Sequence, residues 1–361
     1  MLALAVPGWS FGRAVTRTNG DPFSVKATEW ARDHQLGWIV DRTERFWYSH
    51  EQPPIGGVPK GGIPHVRAPS TRRTPAVRHP ARPARIRETC PPRVQPLAVP
   101  ALPGEGAWQV AGRPGAGVCF AYLRPDAAHT SLVVGLAWMD TRRLTATLHN
   151  GTSLPGGGGW RAGPQIAAVD SPRVAAAFNS GFRLDASDGG YLTEGRTVRP
   201  LVAGRASLVI FTNGRVGVGM WGRDYRPGPS IASVRQNLDL LVDGGRLVPG
   251  LGDASSQRWG ATLGNAIYTW RSGVGIDAHG NLVYAGGPGL NVQTLADLLQ
   301  RAGCVRAMEL DINPAWVSLM VYSGDSPSTI IATKLLTNMQ RPADRYLVSG
   351  TRDFVELDLR R

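Results

Sequence analysis

From residue 107 onward the chain alternates short apolar runs with polar, glycine-bearing breaks, the pattern of strands joined by tight turns. Residues 207–211 and 215–218 flank Asn213 and Gly214, a pair that accepts the positive φ values of a two-residue hairpin turn. The device recurs where 240–242 turn at Asp243, Gly244 and Gly245 into 246–248, and where 274–276 turn near His279 and Gly280 into 282–284. Three such hairpins predict a large, mostly antiparallel sheet. A further strand, 174–178, runs into the polar turn Asn179, Ser180, Gly181. Helical signals are few. Between Asn291, a capping residue, and Gly303, a stop, Leu295, Leu298 and Leu299 form an apolar stripe, and 25–34 reads as a short helix ended by Gly37. The expected fold class is α+β: a large, mostly antiparallel or mixed β-sheet with a few packed helices.

The pattern changes twice, which divides the chain into three pieces. Residues 1–60 carry Trp38, Phe46, Trp47 and Tyr48, which need cover, so this segment is expected to fold back on the main domain. Residues 61–104 read as a disordered Arg/Pro-rich linker, and 105–361 hold the strands. The net charge is +13, but between His65 and Arg93 eight arginines face only Glu88, so basicity is concentrated in the linker and not on a folded face. Nucleic acid is therefore not an expected partner, whereas an anionic envelope polymer or lipid surface could meet those cations. Cys90, Cys119 and Cys304 are too few for a disulfide scaffold, and they leave open a Cys119–Cys304 bridge or two buried reduced thiols. No run approaches the roughly 20 apolar residues of a membrane span. Met1 to Val6 is too short for a signal-peptide core, which predicts either a cytoplasmic protein or a start lying upstream.

The chemistry concentrates at residues 305–316, where Glu309 and Asp311 enter what otherwise reads as a buried strand. In an extended strand they share a face, with Cα atoms about 6.5–7 Å apart. Pro314 cannot donate to a ladder, so the strand is expected to stop near Asn313, leaving Asp311 and Asn313 at its C-terminal mouth. Taken alone, the pair also fits an ordinary solvated strand face. Two further turns, Asn179-Ser180-Gly181 and Arg271-Ser272-Gly273, place amides and a guanidinium at strand ends, where carboxylates could do acid/base or nucleophilic work while Arg271 holds an anion or sugar oxygen. Other motifs fall away. The spaced glycines at 217, 219 and 222 precede Pro227 and Pro229, so no helix N-terminus can hold a pyrophosphate. The seven histidines show no metal-ligand pairing, no nucleophile-elbow serine is present, and the reading calls for no cofactor.

In order and spacing these motifs resemble the phosphodiester glycosidase family from about Ala107 to Tyr322. Phe178-Asn179-Ser180-Gly181-Phe182 is similar to the family's Asn-Gly-Gly-Phe turn, Arg271 to Asp277 to its Arg-x-x-x-Gly-Ile/Val strand, and the helix from Asn291 to Gly303 followed by Leu310-Asp311 to its last helix and Leu-Asp strand. The resemblance implies cleavage of a sugar from a phosphodiester-linked glycan, with export to the cell envelope or beyond. It further implies Asp311, with Glu309 as second carboxylate, in the chemistry, and Asn179, Gly181, Arg271 and Asn313 at the substrate. One departure stands out: Leu-Asp is usually followed by Gly-Gly-Gly-Ser, whereas here Ile312-Asn313-Pro314-Ala315-Trp316 replaces bare backbone with bulk. A catalytically inactive glycan- or wall-binding module of the same fold is the alternative this departure favours.

Overall fold

The structure, a computed structural model, describes residues 2–16, 21–50, 52–66, 90–253, 255–260 and 267–360. Among them are helices α1 (Leu2–Val15), α2 (Phe23–Asp33), α3 (Gly37–His50) and α4 (Val292–Arg301). The strands are β1 (Gln109–Val110), β2 (Val118–Leu123), β3 (Val134–Met139), β4 (Leu144–His149), β5 (Val174–Asn179), β6 (Tyr191–Thr193), β7 (Arg196–Arg199), β8 (Ala206–Phe211), β9 (Val216–Met220), β10 (Ile231–Gln236), β11 (Leu240–Asp243), β12 (Arg246–Leu247), β13 (Thr269–Asp277), β14 (Leu282–Leu290), β15 (Cys304–Glu309), β16 (Leu319–Ser323), β17 (Ile331–Lys334) and β18 (Phe354–Leu359). They make three antiparallel sheets, ordered β1-β2-β3-β14-β13-β15-β11-β12, β7-β6-β10-β8-β9 and β17-β16-β5-β18-β4. The α+β class holds, with the strands divided among three sheets instead of one.

The first sheet is buried on both faces, which is why β2 and β3 read as unbroken apolar runs. Alternate residues of β2 enter different cores. Val118, Phe120 and Tyr122 meet residues of the other two sheets, while Cys119, Ala121 and Leu123 join the cluster under α4. Helix α4 seats Leu295, Leu298 and Leu299 there, and its start is fixed by a reciprocal cap in which Asn291 Oδ1 accepts from Thr294 N and Thr294 Oγ1 accepts from Asn291 N. Gly273 of β13 allows that close approach, since a Cβ there would lie 2.9 Å from both Leu299 and the Met308 carbonyl.

The three expected hairpins appear as β8-β9, β11-β12 and β13-β14. Arg271, Ser272 and Gly273 lie inside β13 and not in a turn. The expected 25–34 helix is α2, but of the aromatics expected to need cover Trp38 is 66% and Phe46 65% exposed; Trp47 and Tyr48 have side chains outside the described set. What folds back is the stretch from Asp21 to Asp33, where Val25 packs on Ala315 and Trp316. The described ends of the 61–104 stretch also pack: Ile63, Val94 and Ala98 are buried, and Cys90 forms a disulfide with Cys119. That bond corrects the cysteine reading, because Cys90 was assigned to a free linker; Cys304 is a buried free thiol. Residues 67–89, which hold most of the arginines, lie outside the described residues. Among the described residues no helix is long and apolar enough to cross a membrane.

Candidate functional site

Strand β15 pairs with β13, Gly273 standing opposite Glu309. The regular strand ends there, yet the backbone stays tied to β13, since Leu310 N donates to Ser272 O and Ser272 N to Asp311 O. The chain then turns. Asn313 N donates to Asp311 Oδ1, Ala315 N to Asn313 Oδ1, and Trp316 and Val317 N both to Asn313 O. Pro314 fits the fixed φ of such a turn. Asn313 therefore builds the turn that holds Asp311, and its side chain is engaged by the backbone.

The two carboxylates meet different arginines. Arg271 Nη1 donates to Glu309 Oε1 at 2.7 Å in a pair almost wholly removed from solvent, and the same guanidinium donates to the carbonyls of Leu290 and Ile267. The anion-holding role expected of Arg271 meets this geometry: its fork is aimed inward at Glu309. Asp311 is instead bound by Arg352, whose Nη2 donates to Asp311 Oδ2 at 3.0 Å and to Gly181 O at 3.2 Å. Arg352 lies over the Trp316 ring at 4.9 Å, and Arg341 and Arg345 approach the same ring at 5.3 and 5.4 Å. A basic, aromatic-floored mouth results.

That mouth is covered from above by the N-terminal segment. Glu29 pairs with Arg183 and, at 3.5 Å, with Arg352; Asp33 pairs with Arg183 at 2.8 Å; Asp21 pairs with Arg341 and accepts from Thr351 Oγ1 at 2.8 Å. Asp311 is left 3% exposed. A cavity of about 360 Å³ bounded by α1, α2 and Thr351 lies beside this cover.

Asn179 ties two sheets together. Its Nδ2 donates to Ser180 O and Ser272 Oγ, and its Oδ1 accepts from Tyr284 OH and Ser318 N. All its hydrogen-bonding capacity near the site is spent on protein. Ser272 Oγ in turn donates to Asp311 O and accepts from Asp311 N, so Asn179 positions Asp311 through Ser272. Gly181 stands against Asn237, whose Oδ1 accepts from Phe182 N and whose Nδ2 donates to the carbonyls of Glu309 and Leu310. The expected residues thus converge, with Asn179, Gly181 and Asn313 as a frame around Asp311.

Burial pushes both carboxyls above the ordinary range. For Asp311 it acts against Arg352, and for Glu309 against Arg271, with Asp311's own charge adding to the rise. A carboxyl held protonated beside cations can serve as a general acid, and ionised it can serve as base or nucleophile. Glu309 Oε2 is buried without a hydrogen-bond partner, a reserve acceptor within the same frame. Among the described residues no group of three or more His, Cys, Asp or Glu could hold a metal ion. Sequence reasoning passed over Arg352, Asn237, Ser318 and the Arg341–Arg345 pair. Each is brought in by tertiary structure; Asn237 and Ser318 adjoin the ends of β10 and β16, but no sequence motif marks them.

Comparison with known proteins bears on this frame directly. The model of the phosphodiester glycosidase family matches residues 165–311, a span that holds Asn179, Gly181, Arg271, Glu309 and Asp311. This segment resembles the phosphodiester glycosidase family. No curated protein matches the chain. Among solved structures, it is similar to the catalytic domain of zebrafish N-acetylglucosamine-1-phosphodiester alpha-N-acetylglucosaminidase, auto-inhibited by pro-peptide, at 14% identity and TM-score 0.44 over 70% of this chain and 88% of that one. It is similar also to a hypothetical protein from Synechocystis (11% identity, TM-score 0.33, 63% of this chain and 59% of that one) and to a putative exported protein from Burkholderia pseudomallei (12%, 0.33, 63% and 74%). The matched segment ends at Asp311, so Arg352 and the cover lie outside it.

Proposed function

We propose that the 105–361 domain is a hydrolase that cleaves a sugar from a phosphodiester-linked glycan, at the cell envelope or outside the cell. The observation that carries this is the joining of Asp311 to Arg352 in a mouth floored by Trp316 and ringed by Arg183, Arg341 and Arg345. Guanidiniums at that mouth suit a phosphodiester, and an aromatic face suits a sugar ring. Asp311 takes the acid/base or nucleophilic role with Glu309 as the second carboxylate, and Asn179, Gly181 and Asn313 hold the frame. Arg352 takes the phosphate contact in place of Arg271. Carboxylates of residues 21–33 occupy the arginines that the phosphate would use, so substrate entry requires this segment to leave. The Cys90–Cys119 disulfide supports an oxidising location. The arginines of the 61–104 stretch suit an anionic envelope polymer.

The second reading, a catalytically silent glycan-binding module, is favoured by the bulk of Ile312 to Trp316 and by the closure over Asp311. One experiment separates the two: hydrolysis of a chromogenic sugar phosphodiester by the full chain, by Asp311→Asn and by Glu29→Ala. Turnover lost in the first variant and raised in the second supports the hydrolase. No turnover by wild type or Glu29→Ala, with glycan binding retained in Asp311→Asn, supports the module.

A further inference from the structure

Away from Asp311, a cavity of about 650 Å³ opens between the third sheet and the second. Its floor is one face of β4 and β18, where Phe354 pairs with His149, Glu356 with Thr147 and Asp358 with Thr145. Period-two alternation sends Leu144, Ala146, Leu148, Val355 and Leu357 into the core and leaves the polar set facing the cavity. Across it stand Thr193 and Ser233, whose hydroxyls hydrogen-bond each other at 2.8 Å.

The proton arrangement on the floor is constrained. His149 Nδ1 lies 2.9 Å from Gly163 O, which can only accept, so Nδ1 carries a hydrogen. His149 Nε2 lies 2.5 Å from Glu356 Oε2, and one proton must sit between them, on either the ring or the carboxyl. Glu356 is 4% exposed, yet its Oε1 has no hydrogen-bond partner, and neither does the buried Oδ1 of Asp358. Burial first, then the like charge of Glu356, pushes Asp358 up to about 7, and a side-chain hydrogen bond between the two carboxyls adds to the rise.

The other charges around these oxygens do not satisfy them. Arg173 spends Nη2 on Leu359 O at 2.6 Å, and the Arg161 side chain is 89% exposed. Glu194 accepts from the backbone of Arg161 and Ala162, and Asp170 adds a further negative charge near Asp358. Once Asp358 has lost the proton it shares with Glu356, what the floor lacks is a donor carrying positive charge. No group suited to a metal ion exists among the described residues, whereas an ammonium offers three N–H donors in a compact head. The neighbouring threonine and serine hydroxyls suit the rest of a polyol.

We propose that this cleft is a second binding site, for a ligand carrying a protonated amine on a hydroxylated chain, with the amine seated between Glu356 and Asp358. Binding requires Asp358 ionised, so below about 7 it releases a proton to solvent and tightens as pH rises through that value. The test is calorimetric titration of the full chain with glucamine and with sorbitol, its uncharged counterpart, in buffers of different ionisation enthalpy. Glucamine is expected to bind about tenfold or more tighter than sorbitol, with proton release on the acid side. Asp358→Asn is expected to abolish the release and weaken glucamine about tenfold, while melting no lower than wild type. Equal binding of the two compounds, absence of glucamine binding, or unchanged binding by a folded Asp358→Asn overturns the proposal. The wild-type comparison decides even where a variant fails to fold. Asp311→Asn is expected to bind glucamine as wild type does, which keeps this result separate from the phosphodiester reading.

Discussion

Glu309 and Asp311 stand two residues apart, but the arginine each one meets sets a different task. Glu309 faces Arg271 in a pair with almost no solvent, so Glu309→Gln leaves a buried guanidinium without its counter-charge. A loss of about 3–5 kcal/mol is expected, read from urea unfolding. Asp311 faces Arg352 in a pair that is also nearly buried, so Asp311→Asn is expected to lower the melting temperature as well as kcat, the latter about 100-fold or more when measured where the variant is still folded. Asp358 gives a pH signature. Its carboxyl titrates near 7 in the folded chain against an ordinary 3.8, so the folded state holds a proton that the unfolded chain has lost. Stability from this group is therefore full below about 4 and falls as pH rises toward about 7, and Asp358→Asn should flatten that fall in pH-dependent melting curves. At this scale the sequence showed the charges that do not belong in a strand, because periodicity exposes them. It could not show their partners: Arg352 is 41 positions from Asp311 and sits in no recognisable motif.

At the scale of elements, the legible parts were those fixed by local chemistry. Gly214 takes a positive φ in the turn, and the hairpin β8-β9 is where it was expected. Helix α4 was legible through its apolar stripe and its cap, and Asn291→Ala is expected to cost about 1 kcal/mol in chemical denaturation, as it removes the acceptor for Thr294 N while leaving the backbone N–H that donates to Thr294 Oγ1. The segments read least well are those decided by distant packing. The ends of the 61–104 stretch look like linker by composition, yet Val94 is buried under the first sheet and Cys90 is bonded to Cys119. Closing a loop across a separation of 29 residues is worth roughly 3–4 kcal/mol in the chain-entropy description. Cys90→Ser should lower stability by about that amount. The aromatics of α3 were read as needing cover because composition counts side chains without seeing which way a helix presents them.

For the molecule as a whole, the division of the strands into three sheets was not legible, since hairpins specify neighbours and not the order of sheets. The site depends on that division: Asn179 comes from the third sheet, Ser272 and Glu309 from the first, and Asn237 follows the last strand of the second to bridge them. The cover over Asp311 adds a consequence of its own. Residues 21–33 grip the mouth mostly through ion pairs, and Cys90, the covalent anchor of the preceding stretch, lies beyond the arginines at 67–87. While the chain is intact, the cover is a tethered ligand whose local concentration is set by the connection and not by how much protein is present. A cut at any of those arginines would turn these contacts, together with the packing of residues 52–66, into an ordinary two-body equilibrium, in which dilution bears on whether Asp311 is open.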